Sequence, residues 1–145
     1  MHLAHANAAV MISNYEDPLM ADFVSQLDPV NAAADLSPGF VWRLADDDVD
    51  EEAARIFEID NLLFNMSVWE SVDALEDYTY KSNHIEVVRK RGKWFEKPKR
   101  SPFVLWWIEP DHLPTIAEAK SRFDLLWENG PSPEAFTFAS RFDAS

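Results

Sequence analysis

The chain has 145 residues, the length of one domain, and 47% of them are apolar and 13% aromatic, enough to form a hydrophobic core. The absence of cysteine excludes disulfides, thiolate metal sites and a cysteine nucleophile, and the net charge of −13 argues against general nucleic-acid binding. No apolar run approaches the ~18 residues of a membrane span and the N-terminus lacks the basic region of a signal peptide, so we expect one cytoplasmic domain over residues 1–145.

The first third of the chain predicts a strand followed by a helix. Residues 3–12 alternate between an apolar and a mixed face, as in a strand with one buried side. Asp17-Pro18 is a helix start, in which the aspartate caps and the proline occupies the first turn. Asp28-Pro29 repeats this signal and predicts that the helix kinks or restarts there, and Ser37-Pro38-Gly39 predicts the closing turn.

The middle third predicts two strands joined by an acidic loop. Residues 40–44 and 61–70 have the composition of strands, and the second has one wholly apolar face and one face of amides, a hydroxyl and an indole. The acidic run between them lacks the glycine and the glutamate that a calcium-binding loop counted from Asp46 requires. We therefore expect a flexible, solvated loop up to about Asp60.

The last third predicts a helix pair, a strand, a helix and a tail. Ser71 and Asn83 each have the character of a helix cap. Residues 103–108 are a continuous apolar run, which is typical of a central strand, and a capping box at Thr115 begins the last helix. In the tail after Pro131, apolar and polar residues alternate weakly. We expect this tail to add an edge strand to the sheet or to swap between two copies of the chain.

This order of elements predicts an α+β fold of the ferredoxin-like βαββαβ type, in which an antiparallel sheet carries helices on one face. The other face needs a cover, and a second copy of the chain is the simplest one, so we expect a homodimer. The polar face of strand 61–70 is then expected to lie opposite the helices.

Four segments carry a family resemblance, and they are NMSVWES (65–71), YKSNHIEVVRKRGKWFEK (80–97), VLWWIEPDHLPT (104–115) and NGPSPEAFTF (129–138). The chain resembles an uncharacterised bacterial domain-of-unknown-function family related to the dimeric α/β-barrel superfamily of antibiotic-biosynthesis-monooxygenase-like proteins. It is similar, more remotely, to haem-containing carotenoid monooxygenases and aldoxime dehydratases. The resemblance implies the fold and the dimer, but no single reaction, because that superfamily hosts oxygenases, isomerases, degrading enzymes and haem proteins.

His84 is the strongest catalytic candidate. It lies one turn after Tyr80 in the predicted helix pair, and imidazole can act as a general base, a hydrogen-bond donor or an axial iron ligand. The alternative is a helix-junction histidine bound to a backbone carbonyl; the resemblance, which includes a histidine here, favours a function. Arg91, seven residues later, could share that face and bind a carboxylate or a haem propionate.

A second group of candidates lies on two predicted strands. These residues are His5, Asn7, Asn65, Ser67 and Trp69. If both strands are central in the sheet, the five side chains converge and could orient a carbonyl or phenolic substrate. The alternative is a polar dimer interface with trapped water.

Four further aromatic residues belong to the predicted ligand-binding set. They are Tyr80 and the tryptophans Trp42, Trp106 and Trp107. Trp106 and Trp107 are adjacent, so one faces the helices and the other is a candidate pocket wall, and parity alone does not say which. We expect no metal site, since the neighbouring His2 and His5 differ in parity.

Segment 81–100 is the basic part of the chain. It holds eight of the thirteen lysines and arginines and only two acidic residues, Glu86 and Glu96. Such a segment is either a solvated helix face that pairs with the acidic remainder or an anion-binding or docking surface.

Taken together, these features predict a homodimer that binds a small hydrophobic or aromatic metabolite. The expected chemistry is cofactor-independent oxygenation or isomerisation, with His84 as base and Asn7 and Asn65 holding an oxygen. One alternative is a haem protein with His84 as axial ligand, and another is a non-catalytic ligand-binding or protein-interaction module. We expect neither a nucleic acid nor a membrane as partner.

Overall fold

The computed structural model describes residues 1–13, 16–45, 48–81 and 92–144. Four strands and four helices make up this part of the chain, after which a tail follows. In chain order they are β1 (His2–Val10), α1 (Ala21–Asp35), β2 (Phe40–Arg43), α2 (Val49–Phe57), β3 (Leu62–Trp69), α3 (Val72–Lys81), β4 (Phe103–Ile108) and α4 (Ile116–Asn129). A short 3-10 turn, Pro18–Met20, precedes α1.

The four strands form one antiparallel sheet in the order β2-β3-β1-β4. The two crossover helices, α1 and α3, connect strands of this sheet as in a ferredoxin-like unit. The predicted fold class is therefore confirmed. β1 and β3 are the central strands, and their side chains occupy the middle of both sheet faces.

Helices α2 and α4 cover the apolar face of the sheet. Alternate residues of β1 and β3, among them Ala6 and Phe64, are buried there. Phe57 of α2 contacts both the sheet and the neighbouring helix, because the centre of its ring lies 5.8 Å from that of Phe64 in β3 and 5.7 Å from that of Phe123 in α4. The prediction that this face lies under helices is confirmed.

Helices α1 and α3 and the tail pack on the opposite face. Ala34 of α1, Leu75 of α3 and Phe136 of the tail belong to one buried cluster with Leu3 and Trp69 of the sheet. The prediction of helices on one face therefore holds for the two crossover helices, but α2 and α4 add a layer to the other. We expected the polar face of β3 to lie opposite the helices, but it lies on the side of the two crossover helices. The face on the other side is covered by α2 and α4 of the same chain, so it does not need the second copy that we expected there.

The acidic segment after β2 differs from its prediction. Where the structure describes it, residues 49–57 form α2 and not a solvated loop; Asp46 and Asp47 lie outside the described residues. Val49, Ala53 and Phe57 recur every four residues and place one apolar stripe on the sheet. The carboxylates of Asp50, Glu51 and Glu52 lie in the first helical turn, where the helix dipole favours them.

The remaining boundaries follow their sequence signals. Asp17 accepts a hydrogen bond from the Leu19 amide at 2.9 Å, and Thr115 accepts one from the Glu118 amide at 3.1 Å. Pro29 lies inside α1, which continues through it. No helix in the described part of the chain combines the length and apolar character needed to cross a bilayer.

The tail adds a single bridge to the edge of the sheet. Leu105 of β4 and Phe136 exchange two backbone hydrogen bonds of 2.8 and 2.9 Å. Arg141 then fastens the tail to α3 by donating to Asp73 at 3.1 Å and to Glu76. Of the predicted second helix of the pair, only residues 92–94 are described, and they are helical.

Candidate functional site

A strip of four polar side chains crosses the middle of the sheet on the face of α1 and α3. His5 lies opposite Ser67 and Asn7 lies opposite Asn65 in the register of β1 and β3. His5, Asn7 and Ser67 are half-buried and Asn65 is exposed. The structure therefore brings together the four predicted residues that we call the polar strip.

Apolar side chains flank the polar strip at both ends of the same strands. At one end, Trp69 stacks on Tyr78 of α3 with ring centres 5.2 Å apart and meets Phe40 edge-on at 5.4 Å. At the other end, Phe23 of α1 contacts Trp94 at 5.3 Å, next to Leu63 of β3. The strip is thus the polar centre of an otherwise apolar sheet face, an arrangement that suits an aromatic molecule with a few polar atoms.

A chain of hydrogen bonds connects the strip to the Trp69 end. The indole Nε1 of Trp69 donates to the hydroxyl of Ser67 at 2.8 Å. The same hydroxyl lies 3.4 Å from Nδ1 of His5, at the long end of hydrogen-bonding distances. The centre of the His5 ring also lies 6.2 Å from that of Phe103 in β4.

Two residues next to the strip were not predicted. Arg43 of β2 lies opposite Ser67 on the same sheet face, and its Nε donates to Asp35 of α1 at 2.8 Å, which raises the pKa of the guanidinium further. Tyr78 donates its hydroxyl to the Val30 carbonyl at 3.0 Å, and burial raises the pKa of this phenol. Strand parity within FVWR could have placed Arg43, but the irregular register between Phe40 and Trp42 hides it.

The predicted tryptophans divide between the two faces of the sheet. Trp107 lies on the strip side in the cluster of Trp69, and its Nε1 donates to the carbonyl of Phe142 at 2.8 Å. Trp106 is fully buried on the other face, where its Nε1 donates to Glu118 at 2.9 Å. Trp42 also packs on that other face. As a correction to the predicted ligand-binding set, Trp42 and Trp106 are separated from the polar strip by the sheet.

The helix-borne candidates are only partly described. Tyr80 is 50% exposed, and its ring lies 6.1 Å from Phe138 of the tail. His84 and Arg91 lie outside the described residues, as does most of the basic segment. Within the described ranges, no three histidine or acidic side chains form a group that could hold a metal ion.

A surface groove of about 520 Å³ opens beside the site. It lies between the turn before β2 and the start of α3, and it is lined in part by Gly39, Glu70, Asp73, Asp77 and Tyr78. Its carboxylates make it acidic, whereas the polar strip itself carries none. Tyr78, which lines the groove, stacks on Trp69, and the indole of Trp69 donates to Ser67 of the strip.

Sequence comparison decides the family of the chain. The profile of the domain of unknown function DUF3291 matches residues 2–145. The chain belongs to this family. The resemblance expected from the four segments is thereby confirmed, and no curated protein matches the sequence.

Comparison of this DUF3291 chain with solved structures finds SnoaB, described as a cofactor-independent oxygenase from Streptomyces nogalater. The wild-type structure has 18% sequence identity and a TM-score of 0.48, over 79% of this chain and 98% of that one. A point mutant of SnoaB has 16% identity and a TM-score of 0.49 over the same shares.

Proposed function

We propose that this protein binds a small hydrophobic or aromatic metabolite that carries at least one oxygen atom, and that the polar strip holds it. The observation that supports this proposal is the position of the strip. Asn7 and Asn65 lie side by side on the two central strands, with apolar clusters on both sides along the strand direction. Central strand positions normally carry apolar side chains, and the half-buried Asn7 and the exposed Asn65 leave amide groups there that a polar atom of a ligand could contact.

The chemistry of the strip fits such a ligand. Amide groups both donate and accept hydrogen bonds, and the strip contains no carboxylate that would repel an electron-rich oxygen. Trp107 lies on the same face and is half-buried, so its indole offers a flat apolar surface, whereas Trp69 is 1% exposed and supports that surface from within the cluster. The ligand would thus gain affinity from the aromatic end and orientation from the amides.

The reaction that we propose begins with removal of a proton, either from a carbon next to a carbonyl group or from a phenolic hydroxyl. The resulting enolate or phenolate shares its negative charge between the oxygen and a carbon, which is the carbanion form that reacts. His84 is the proposed base, and Asn7 and Asn65 would hold the oxygen on which the charge of the carbanion is delocalised. Return of the proton at another carbon gives an isomer. Alternatively, the carbanion carbon bonds to dioxygen, the peroxide takes back the proton, and loss of water from this hydroperoxide leaves a new carbonyl group. Both outcomes use the electrons of the substrate and need no cofactor.

The assembly and location that we propose are a homodimer in the cytoplasm. Because α2 and α4 occupy the sheet face opposite the strip, this dimer would bury surface outside that face. The protein surface has an overall net charge of −13, so salt would affect association of any charged partner.

Native mass spectrometry of untagged protein purified from its source organism tests this proposal. It reports the subunit number and the mass of any retained molecule together. We expect a dimer that carries an organic molecule smaller than haem. A haem mass with a Soret band that His84→Ala abolishes would instead establish the haem alternative.

Variants then test the location of the retained molecule. Asn65→Ala removes an exposed amide of the strip, and we expect the affinity for the identified ligand to fall by roughly 2- to 13-fold, the equivalent of one hydrogen bond of about 0.5–1.5 kcal/mol. Asn129→Ala, an exposed amide at the end of α4, is the matched control and should leave the affinity unchanged. Equal affinities of the two variants would contradict the assignment of the ligand to the strip.

A further inference from the structure

We infer that the end of the tail, residues 137–144, is a strap that competes with the ligand for Trp107 and is held closed by the ion pairs of Arg141. The carbonyl of Phe142 accepts from the indole N–H of Trp107, and an oxygen atom of an aromatic ligand would take its place when the strap lifts. The inference rests on the proposed function in one respect, because it assigns Trp107 to the same ligand. The opening of the strap does not depend on that ligand.

The strap has a fixed base and a hinge. Phe136, the residue before the strap, is fully buried and exchanges two backbone hydrogen bonds with Leu105 of β4. The chain then reverses its direction in a turn, because the amide of Ser140 donates to the carbonyl of Thr137 at 3.2 Å. Residues 139–141 are exposed on this turn. The part of the strap beyond the turn can therefore move while Phe136 stays bound to the sheet.

Arg141 and Phe142 hold the strap beyond the turn. Arg141 donates to Asp73 at 3.1 Å and to Glu76, both in α3, and its side chain is 38% exposed. Ion pairs that reach water stabilise a structure only weakly, and salt screens them further. The carbonyl of Phe142 adds the hydrogen bond of 2.8 Å from Trp107. A segment held by exposed contacts of this kind opens locally while the rest of the domain stays folded.

A small cavity lies between the strap and the start of α3. Its volume is about 200 Å³, and Val72, Trp107 and Phe142 are among the residues that line it. Pockets that enclose a drug-sized molecule measure roughly 300–1,000 Å³, so the cavity under the closed strap is below that range. Lifting the strap would remove Arg141 and Phe142 from the wall of the cavity and would uncover the indole of Trp107.

Phe142 presents the chemical groups that the proposed ligand has. Its aromatic ring meets Phe136 edge-on at 5.8 Å, and its carbonyl oxygen accepts from Trp107. An indole N–H can only donate, so a ligand atom that replaces this carbonyl must be an acceptor, such as a carbonyl or phenolic oxygen. Trp107 lies opposite Leu3, two residues from His5 along β1, which is a distance of roughly 7 Å. The strap and the ligand thus compete for one donor beside the polar strip.

NMR of the nitrogen-15-labelled full-length protein without ligand tests the opening of the strap. Trp107→Phe assigns the Trp107 indole signal among those of the six tryptophans. Exchange of this indole proton with water requires that its hydrogen bond to Phe142 is broken. Arg141→Gln should raise the exchange rate roughly 2- to 30-fold, the effect of losing two exposed ion pairs. An unchanged rate would overturn the inference.

Salt and a matched arginine provide the controls. Added NaCl should raise the exchange rate of the wild-type protein and should have little further effect on Arg141→Gln, in which the screened ion pairs are already absent. Arg55 is an exposed arginine in the last turn of α2, and Arg55→Gln should leave both the rate and its response to salt unchanged. An equal rise of the rate in Arg55→Gln would assign the effect to net charge and would overturn the role of Arg141.

Coumarin, a flat aromatic molecule with an acceptor carbonyl, is the probe for the competition. Its apparent affinity is proportional to the fraction of protein with an open strap, so Arg141→Gln should bind it more tightly by the same factor by which the exchange rate rises. Phe142→Ala, which removes the ring of the competitor, should also bind it more tightly. In both variants the Trp107 indole signal should shift on titration. Binding that is absent, unchanged or weaker in the two variants would overturn the inference.

A strip variant separates this inference from the proposed function. If coumarin binds at Trp107 and Asn65→Ala leaves its affinity unchanged, the strap is supported and the role of the polar strip is contradicted. If Asn65→Ala lowers the affinity but Arg141→Gln does not raise it, the polar strip is supported and the strap is contradicted. The exchange measurements are made without ligand, so their result is independent of the polar strip.

Discussion

Gly39, in the turn before β2, is the position at which one added methyl group should have the largest local effect. Its φ is +83°, a conformation that residues with a Cβ atom rarely adopt. A Cβ built on Gly39 would lie 2.5 Å from the Cβ of Ala74 in α3. A side chain at this residue would therefore destabilise the fold in two ways, through the strained backbone conformation and through the steric contact between the turn and α3.

The magnitudes can be worked out separately. A left-handed conformation costs a residue with a side chain about 1–2 kcal/mol. Forcing an additional carbon into a packed contact costs about 1–3 kcal/mol. Gly39→Ala should therefore lower the free energy of unfolding by roughly 2–5 kcal/mol, a large part of the ~5–15 kcal/mol of a typical domain.

Urea unfolding followed by tryptophan fluorescence measures this loss, and a second substitution separates its two parts. Ala74→Gly removes the methyl group that the new side chain would meet, so in the Gly39→Ala background it should recover the ~1–3 kcal/mol of the contact. By itself, Ala74→Gly should cost about 1 kcal/mol through helix propensity. The coupling energy of this double-mutant cycle should therefore equal the ~1–3 kcal/mol of the contact.

Gly130, at the end of α4, provides the control. Its φ is +76° and its ψ −177°, a conformation that is almost restricted to glycine, and no described residue beyond its chain neighbours lies within 4 Å of a Cβ built there. Gly130→Ala should therefore show a backbone cost of about 1–3 kcal/mol without a steric contact. Additivity of Gly39→Ala and Ala74→Gly would refute the steric reasoning, because the two methyl groups would then not meet.

Two further predictions concern Tyr78 and Asp50. Burial raises the pKa of Tyr78 above its ordinary value of 10.0, so above about pH 10 the folded state keeps a proton that the unfolded state loses. The free energy of unfolding should therefore fall as the pH rises above about 10. In urea titrations at about pH 9 to 11, Tyr78→Phe should make this fall smaller. A decline of equal slope in the variant would assign it to other groups. The carboxylate of Asp50 in α2 accepts a hydrogen bond from the backbone amide of Phe64 at 3.0 Å. Asp50→Ala should therefore lower the free energy of unfolding, measured with urea, by about 1–3 kcal/mol. Asp50→Asn keeps an acceptor and should lower it by less. Equal losses in the two would contradict a hydrogen-bonding role.

The sheet could be predicted from the sequence because its strands have two chemically different faces. The alternation in β3 between apolar residues and Asn65, Ser67 and Trp69 specifies which side chains share a face. Placing β1 beside β3 then brings His5 next to Ser67, as the register shows. The polar strip was thus available from periodicity and fold class together.

Helix α2 was not predicted, for a reason visible in its composition. Its three neighbouring acidic residues are typical of a solvated loop, whereas its apolar residues recur every four positions up to Phe57, as in a helix with one buried face. The sequence thus contains a helical pattern, but the high charge of the same segment favoured the loop prediction. Missing this helix also led to the expectation that one sheet face needs a second copy as its cover.

The placement of the tryptophans could not be predicted by parity. Trp106 and Trp107 necessarily point to opposite faces, but only the pairing of Trp106 with Ala4 in the register assigns each of them. Trp42 was assigned to the ligand-binding set but lies on the other face, and the irregular register of β2 just before it breaks the alternation that would have shown this. Such facts depend on contacts between distant parts of the chain.

The polar strip is a place where local folding preferences and the observed residues disagree. The neighbours of Asn7 and Asn65 farther along the same face are apolar, among them Leu3 and Leu63, and apolar residues at the strip would stabilise the sheet more. Ser67 has a structural partner that accounts for it, the indole of Trp69. Among the described residues no such contact accounts for the two amides, and a local cost without a structural return is expected where a protein contacts a ligand. This conflict, and not the ferredoxin-like fold, is the physical reason for placing the function at the strip.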